Sequence, residues 1–247
     1  MKTEYRIKTL RKIVGKAINR YGMIAEGDRV LIALSGGIDS LVLLDAVAGR
    51  RRGLPISYHI AAAHIHMEGL GVRADVGFLE AFCRERNVEL MVRTVQGQVD
   101  FSVGDSRCFF CSWHRRKALF AVMKEVGFSR LAFGHHLDDV IETLLLNMTF
   151  HAKFSTMPLR LPMFGGEFDI IRPLGLLMKR QVSEYALAAG LSPIGGECPW
   201  SDQSKRSGAR RIIGELEGLN PGARVNMFRS MENINREYLP SGYDDME

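Results

Sequence analysis

No apolar run in this 247-residue chain approaches the ~18 residues that a membrane-spanning helix requires. The charged start MKTEYRIKTLRK is not followed by the hydrophobic stretch of a secretory signal. Both absences argue against a membrane partner and lead to the expectation of a cytoplasmic protein. Internal repeats and low-complexity tracts are also missing, which removes repeat architectures. Cysteine is scarce: Cys83, Cys108, Cys111 and Cys198 are the four present. In a reducing compartment they are poor candidates for structural disulfides, so metal or sulfur chemistry is the better expectation for some of them.

What is present is globular composition, 46% hydrophobic and 25% charged, enough for one main domain with small terminal extensions. The formal charge is +5 and the isoelectric point about 9.1, a balance that suits a polyanionic partner. The cations cluster at Arg50 to Arg52, at Arg115 to Lys117, and in KRSGARR from Lys205 to Arg211. The first cluster reads as an ordinary solvated face. The other two each lie near a cysteine.

Apolar residues at helical spacing from Ile7 to Tyr21 predict an N-terminal helix that docks on the rest and ends near Gly22. The chain then alternates. Strands are expected at 29–35, 58–67, 88–95, 130–133 and 170–174, with helices at 39–47, 76–83, 112–126, 137–150 and 179–189. Apolar strands alternating with helices predict a parallel sheet covered on both faces. Residues 151–169 read as an irregular loop, the segment beyond Cys198 as polar and glycine-punctuated, and 223–238 as helical.

Three motifs carry chemistry. LIALSGGIDSLVLL sets Ser35, Gly36, Gly37, Asp39 and Ser40 between a buried strand and a helix, an anion cradle in which glycines allow close backbone approach and helix amides face a phosphate. It is neither a Walker A loop nor a dinucleotide turn. FGHHLDDVIETLLLNM puts Gly134, His135, Asp138 and Asp139 at the carboxyl end of a strand, where open α/β sheets bind ligands. The two aspartates would also serve as ordinary helix-start carboxylates. CFFCSWHRRK pairs Cys108 with Cys111 at a helix start beside Arg115, Arg116 and Lys117, surroundings that lower a thiol pKa. With Cys198 as a third sulfur, the set is open to a zinc site completed by His114 or His151, or to an iron-sulfur cluster with one iron left open. Cys83 falls on an apolar helix face and reads as a small core residue.

The string S-G-G-x-D-S resembles the PP-loop of ATP pyrophosphatases, and G-H-x-x-D-D resembles a second segment of the RNA-modifying members. C-x-x-C-S-x-x-R-R, G-H-H-x-D-D, I-R-P-L and a lone later cysteine follow in order the 2-thiocytidine synthetase group, over about residues 28 to 235. The resemblance implies a doubly wound α/β fold of the adenine nucleotide alpha hydrolase type, with 25–200 as the catalytic domain and helical extensions at 1–24 and 201–247. It implies Mg2+ and ATP as cofactors, with Ser35, Gly36, Gly37, Asp39 and Ser40 around the pyrophosphate. Ala33, Leu34 and Ile65 are the candidates for the adenosine side, with Gly134, His135 and Asp139 completing the ATP site. It implies a 4Fe-4S cluster on Cys108, Cys111 and Cys198, and Lys117 and Asp138 as catalytic groups. Arg115, Arg116, Lys205, Arg206, Arg210 and Arg211 are then expected to hold tRNA phosphates. A sulfur donor, either a cysteine desulfurase or free sulfide, is needed, and a homodimer is one expected arrangement.

Departures from the pattern are equally specific. Many RNA-thiolating members carry lysine where this chain has Ile38, and Ser201 replaces the second cysteine common after the distal one. Two other functions are set against thiolation: a zinc-containing ligase or amidotransferase subunit acting on a small molecule, and a nucleotide-binding iron-sulfur sensor without turnover.

Overall fold

The computed structural model describes residues 2–51, 54–68, 74–96, 107–194 and 205–240. Six strands form one sheet: β1 Arg29–Ala33, β2 His59–Glu68, β3 Glu89–Gln96, β4 Arg130–Ala132, β5 Arg160–Met163 and β6 Phe168–Ile171. Their order is β3-β2-β1-β4-β6-β5, parallel except for the antiparallel β5–β6 pair. The described helices are α1 Lys2–Arg20, α2 Ile38–Arg50, α3 Val76–Glu85, α4 Arg107–Val126, α5 Leu137–His151, α6 Lys179–Ala189, α7 Lys205–Leu219 and α8 Ala223–Ser230. The expected doubly wound α/β sheet is the one observed.

Strand alternation divides the interior in two. Val30 and Ile32 of β1 and Ile60 and Ala62 of β2 face a large core closed by α1, α2, α3, α5 and α6. Leu31, Ala61, Ala63 and Ile65 face the opposite side, which Leu119, Val122 and Met123 of α4 cover. A strand buried on both faces cannot alternate with polar residues, which is why RVLIA and HIAAAHI are almost continuously apolar. Connections leave β1 in one direction towards β2 and β3, and in the other towards β4 and β6. The carboxyl ends of β1 and β4 therefore flank the switch point where such sheets open a crevice.

Leu10, Val14, Ala17 and Ile18 of α1 are all buried in the larger core, as are Ile213 of α7 and Phe228 of α8. Tyr185, Asp45, Arg11 and Arg86 tie α6, α2, α1 and α3 together: Arg11 Nε donates to the Tyr185 hydroxyl at 2.7 Å, and Arg86 Nε donates to Asp45 at 2.9 Å. Burial, then the neighbouring Asp45 charge, pushes the Tyr185 phenol far above its ordinary pKa.

Four expectations about elements are corrected. Residues 151–169 are not wholly irregular, because β5 pairs there with β6, Pro162 lying opposite Asp169 on an edge strand that tolerates proline. The strand placed at 170–174 ends at Ile171, before Pro173. The polar segment after Cys198 contains a 15-residue helix, α7. The last helix stops at Ser230, and only a short 3-10 turn occupies Arg236–Tyr238.

Candidate nucleotide site

The turn after β1 is tied by its own side chains. Ser35 Oγ and Ser40 Oγ lie 3.1 Å apart, Ser40 Oγ donates to the Gly37 carbonyl at 2.8 Å, and the Ser35 amide donates to Ser40 Oγ at 3.2 Å. Gly37 is the N-cap of α2 and no side chain caps that end, so the first amides of the helix remain available to an anion. Gly36 sits at φ +89°, and a Cβ there would come within 2.9 Å of the Ile194 carbonyl oxygen. Glycine is needed at this position on both counts. The Ile194 amide returns the contact by donating to the Gly36 carbonyl at 2.9 Å. Gly134 is constrained by space alone, because a Cβ would stand 3.0 Å from the Asp39 backbone.

Beside this turn opens a cleft of about 350 Å3. Ala33, Leu34, Ser35, Asp39 and Ser40 line it from β1 and the turn, and Ala63, His64 and Ile65 line it from β2. Phe133, Gly134, His135 and Asp139 line it after β4, and Ser112, Arg115, Arg116 and Leu119 line it from α4. The lining therefore combines apolar side chains with amides, hydroxyls and guanidinium groups, a set that matches a purine joined to phosphates. His64 is buried, its Nδ1 lies 2.8 Å from the Leu34 carbonyl oxygen, and burial lowers its pKa. A carbonyl can only accept, so Nδ1 carries the proton of a neutral ring. Burial first, and then the charge of Arg172, pushes His135 down to about 4. Burial first, and then Arg116, pushes Arg172 down to about 10.

Nine expected ATP-site residues thus line one cleft: Ala33, Leu34, Ser35, Asp39, Ser40, Ile65, Gly134, His135 and Asp139. Gly36 and Gly37 complete its turn. Other expectations are redirected. Arg115 and Arg116 were expected to face RNA but line the cleft, and the buried Nε of Arg115 has no hydrogen-bond partner among the described residues. Positions 112, 115, 116 and 119 make one helical face, whereas position 117 is turned well away from it. Lys117 is accordingly exposed, with its ammonium 5.2 Å from the Trp113 ring centroid.

Asp138, expected at the chemistry, is buried on the far side of the first turn of α5. Its Oδ2 accepts from the Lys179 amide at 2.7 Å and its Oδ1 pairs with Arg224. It lines a second cavity of about 530 Å3, which shares Asp39 and Asp139 with the first. Asp139 keeps its helix-start role through Oδ2, which accepts from the His136 amide at 2.9 Å. Arg206 and Arg210, expected on RNA, face inward to Asp139 at 3.7 Å and Glu142 at 2.7 Å. Arg211 is exposed, and Lys205 covers the Phe150 ring at 4.7 Å. Cys83 is fully buried and burial pushes its thiol up to about 11, as befits a core residue.

Cys111 is half-buried at the start of α4, directly before Ser112 of the cleft. The side chain of Cys108, and Cys198 altogether, lie outside the described residues. Sequence reasoning missed Lys179, whose Nζ lies 2.5 Å from Asp39 Oδ1, and it missed Arg224 and Glu142. A signal for the last two was present. Three acids within five positions of an otherwise apolar helix require cations from elsewhere, since unpaired buried charge is costly.

A family model described as a PP-loop domain matches residues 4–215. The chain is 32% identical over 240 residues to a tRNA-cytidine(32) 2-sulfurtransferase of Geobacter sulfurreducens, covering 95% of this chain and 93% of that one. It is 34% identical over 238 residues to the protein of the same name from Syntrophotalea carbinolica, covering 94% and 91%. Among solved structures, the U34-tRNA thiolase of Methanococcus maripaludis with its 4Fe-4S cluster superposes with a TM-score of 0.76 at 27% identity, over 96% of this chain and 81% of that one.

Proposed function

This chain belongs to the PP-loop domain family, and we propose that it is an ATP-dependent tRNA-thiolating enzyme that forms 2-thiocytidine. The observation that carries the reading is a juxtaposition: one cleft brings the S-G-G-x-D-S turn against the face of α4 that continues from Cys111. The near full-length likeness to tRNA-cytidine(32) 2-sulfurtransferases supports the substrate class.

ATP enters with its adenosine against Ala33, Leu34 and Ile65 and its phosphates over the Ser35 to Ser40 turn and the start of α2. The cytidine carbonyl oxygen attacks the α-phosphorus, the bond to pyrophosphate breaks, and pyrophosphate leaves. This converts a poor leaving group into AMP. Sulfide then attacks the same ring carbon, the carbon–oxygen bond breaks, AMP departs, and the sulfur sheds its proton to solvent. Arg115, Arg116 and Lys179 offset the charge that gathers on phosphorus and its oxygens, while neutral His135 adds bulk and polarity without charge. The net reaction is not a redox one.

The cysteine pattern of the sequence suits an iron-sulfur cluster. Cys108 and Cys111 stand one helical turn apart at the start of α4, and the chain at Ile194 is fastened to Gly36 only four residues before Cys198. Cys108, Cys111 and Cys198 would hold a 4Fe-4S cluster, which with three protein thiolates supplies an iron able to take up exogenous sulfide. Zinc would seek a fourth ligand.

The test combines two measurements on anaerobically reconstituted protein. Iron-sulfur absorbance with about four irons per chain, and pyrophosphate release that depends on added tRNA, are expected. Stoichiometric zinc without that absorbance would overturn the cluster, and ATP turnover indifferent to tRNA would overturn the substrate.

A further inference from the structure

We propose that the far end of α5 is a stacking platform for unpaired bases of the RNA substrate, with Phe150 and Phe154 as its aromatic surfaces. The inference rests on the tRNA reading above and extends it to a surface outside the nucleotide site. Phe150 and Phe154 are 54% and 53% exposed, unusual for phenylalanine, and neighbouring Met148 is 45% exposed. They are not loosely held. Ala152 between them adopts a left-handed conformation at φ +49°, and the Lys153 amide donates to the Asn147 carbonyl at 3.1 Å. Asn147 Nδ2 donates to the Ser155 carbonyl at 2.8 Å. The backbone is thus fixed in a turn that holds two rings out towards solvent beside the exposed Met148.

Charge identifies the partner. Residues 143–166 contain no carboxylate but include His151 and Lys153, and α7, packed along α5, adds Lys205 and the exposed Arg211, whereas Arg160, Arg206 and Arg210 are already paired with Asp169, Asp139 and Glu142. The Lys205 ammonium already lies 4.7 Å from the Phe150 ring centroid. Aromatic faces set among cations are how proteins hold single-stranded nucleic acid, the rings taking bases and the cations taking phosphates. A second copy of this chain fits poorly, because a two-fold contact would oppose the same cations, and lysine is depleted from protein interfaces. Phe150 lies eleven residues beyond Asp139 on the same helix, about 16 Å along its axis. A loop lying along α5 can therefore rest its neighbouring bases on the platform while the target base reaches the nucleotide cleft.

The test uses the full chain with Phe150 and Phe154 both changed to leucine, which keeps apolar bulk but removes the ring faces. Binding of an unmodified tRNA transcript should weaken by about tenfold or more, with the salt dependence of binding unchanged and the oligomeric state by sedimentation unaltered. A parallel Lys153→Gln, Lys205→Gln variant should weaken binding and also flatten the salt dependence. Unchanged affinity in the leucine variant would overturn the platform, as would a change in oligomeric state in place of a change in affinity. The earlier reading fails separately, if the unaltered protein shows no tRNA-dependent pyrophosphate release.

Discussion

Lys179 is the cation that the turn itself does not supply. Position 38 of the turn holds isoleucine, and the Lys179 ammonium arrives from the first residue of α6 to lie 2.5 Å from Asp39 Oδ1. Replacing it with methionine separates two roles by magnitude. As an ion pair it is weak, because its side chain is 47% exposed and that of Asp39 34%, so its loss should cost less than about 1 kcal/mol of stability. For a chain of this length that is a melting shift of no more than about 2–4 °C. As a preorganised cation beside the phosphates it should contribute far more, with kcat for tRNA-dependent pyrophosphate release falling by about 10²–10³. The decisive addition is a second change: Ile38→Lys in the Lys179→Met background should restore much of the rate by returning an ammonium to the turn from the other side. Pyrophosphate release within about threefold of the unaltered enzyme in Lys179→Met, or a failure of Ile38→Lys to help a well-folded but slow variant, would refute the reasoning.

Three further outcomes follow from particular residues. With a folded pKa of about 4 against an ordinary value near 6.5, His135 binds fewer protons in the folded than in the unfolded chain across that interval, so stability should fall as pH drops from about 6.5 to about 4 and be flat above it. His135→Asn should remove that part of the slope in denaturant titrations at stepped pH, and an unchanged slope would count against a buried neutral ring. Gly134→Ala drives a methyl group to 3.0 Å from the Asp39 backbone and should cost about 1–3 kcal/mol while weakening ATP binding in calorimetry. Cys111→Ala should abolish iron-sulfur absorbance after reconstitution, whereas Cys83→Ala should retain it and resist thiol reagents no differently from the parent, since burial keeps Cys83 protonated.

The nucleotide half of the molecule was legible because each signal there is local. Strands buried on both faces write unbroken apolar runs, and a turn whose amides face an anion writes glycine and serine at fixed offsets. β5 was missed for the opposite reason: RLPM is short, contains proline and is a strand only through its pairing with β6. α7 was missed because Gly208, Gly214 and Gly218 depress its helix propensity, and its inward contacts reduce to Ala209 and Ile213 plus ion pairs that no single segment reveals. Lys117 shows how angle separates neighbours in sequence. Counting along CFFCSWHRRK ranks it beside Arg115 and Arg116, but on a helix two positions beyond Arg115 is a rotation of about 200°, just over a half-turn, and the side chain does not line the cleft. The pairing of Arg206 and Arg210 with Asp139 and Glu142 was not legible, because a cationic run displays its own charge and not the buried carboxylates it answers.

Those carboxylates also set an order of assembly. Asp138, Asp139 and Glu142 are in place on α5 long before Arg206, Arg210 and Arg224, which neutralise them, have been synthesised. During translation the nascent sheet therefore carries a knot of negative charge with no counterpart, and full closure of that end waits for α7 and α8 to emerge. A ribosome stalled near residue 200 should hold a chain whose amino-terminal elements resist protease while α5 is still open to cleavage, and release of the last helices should close it.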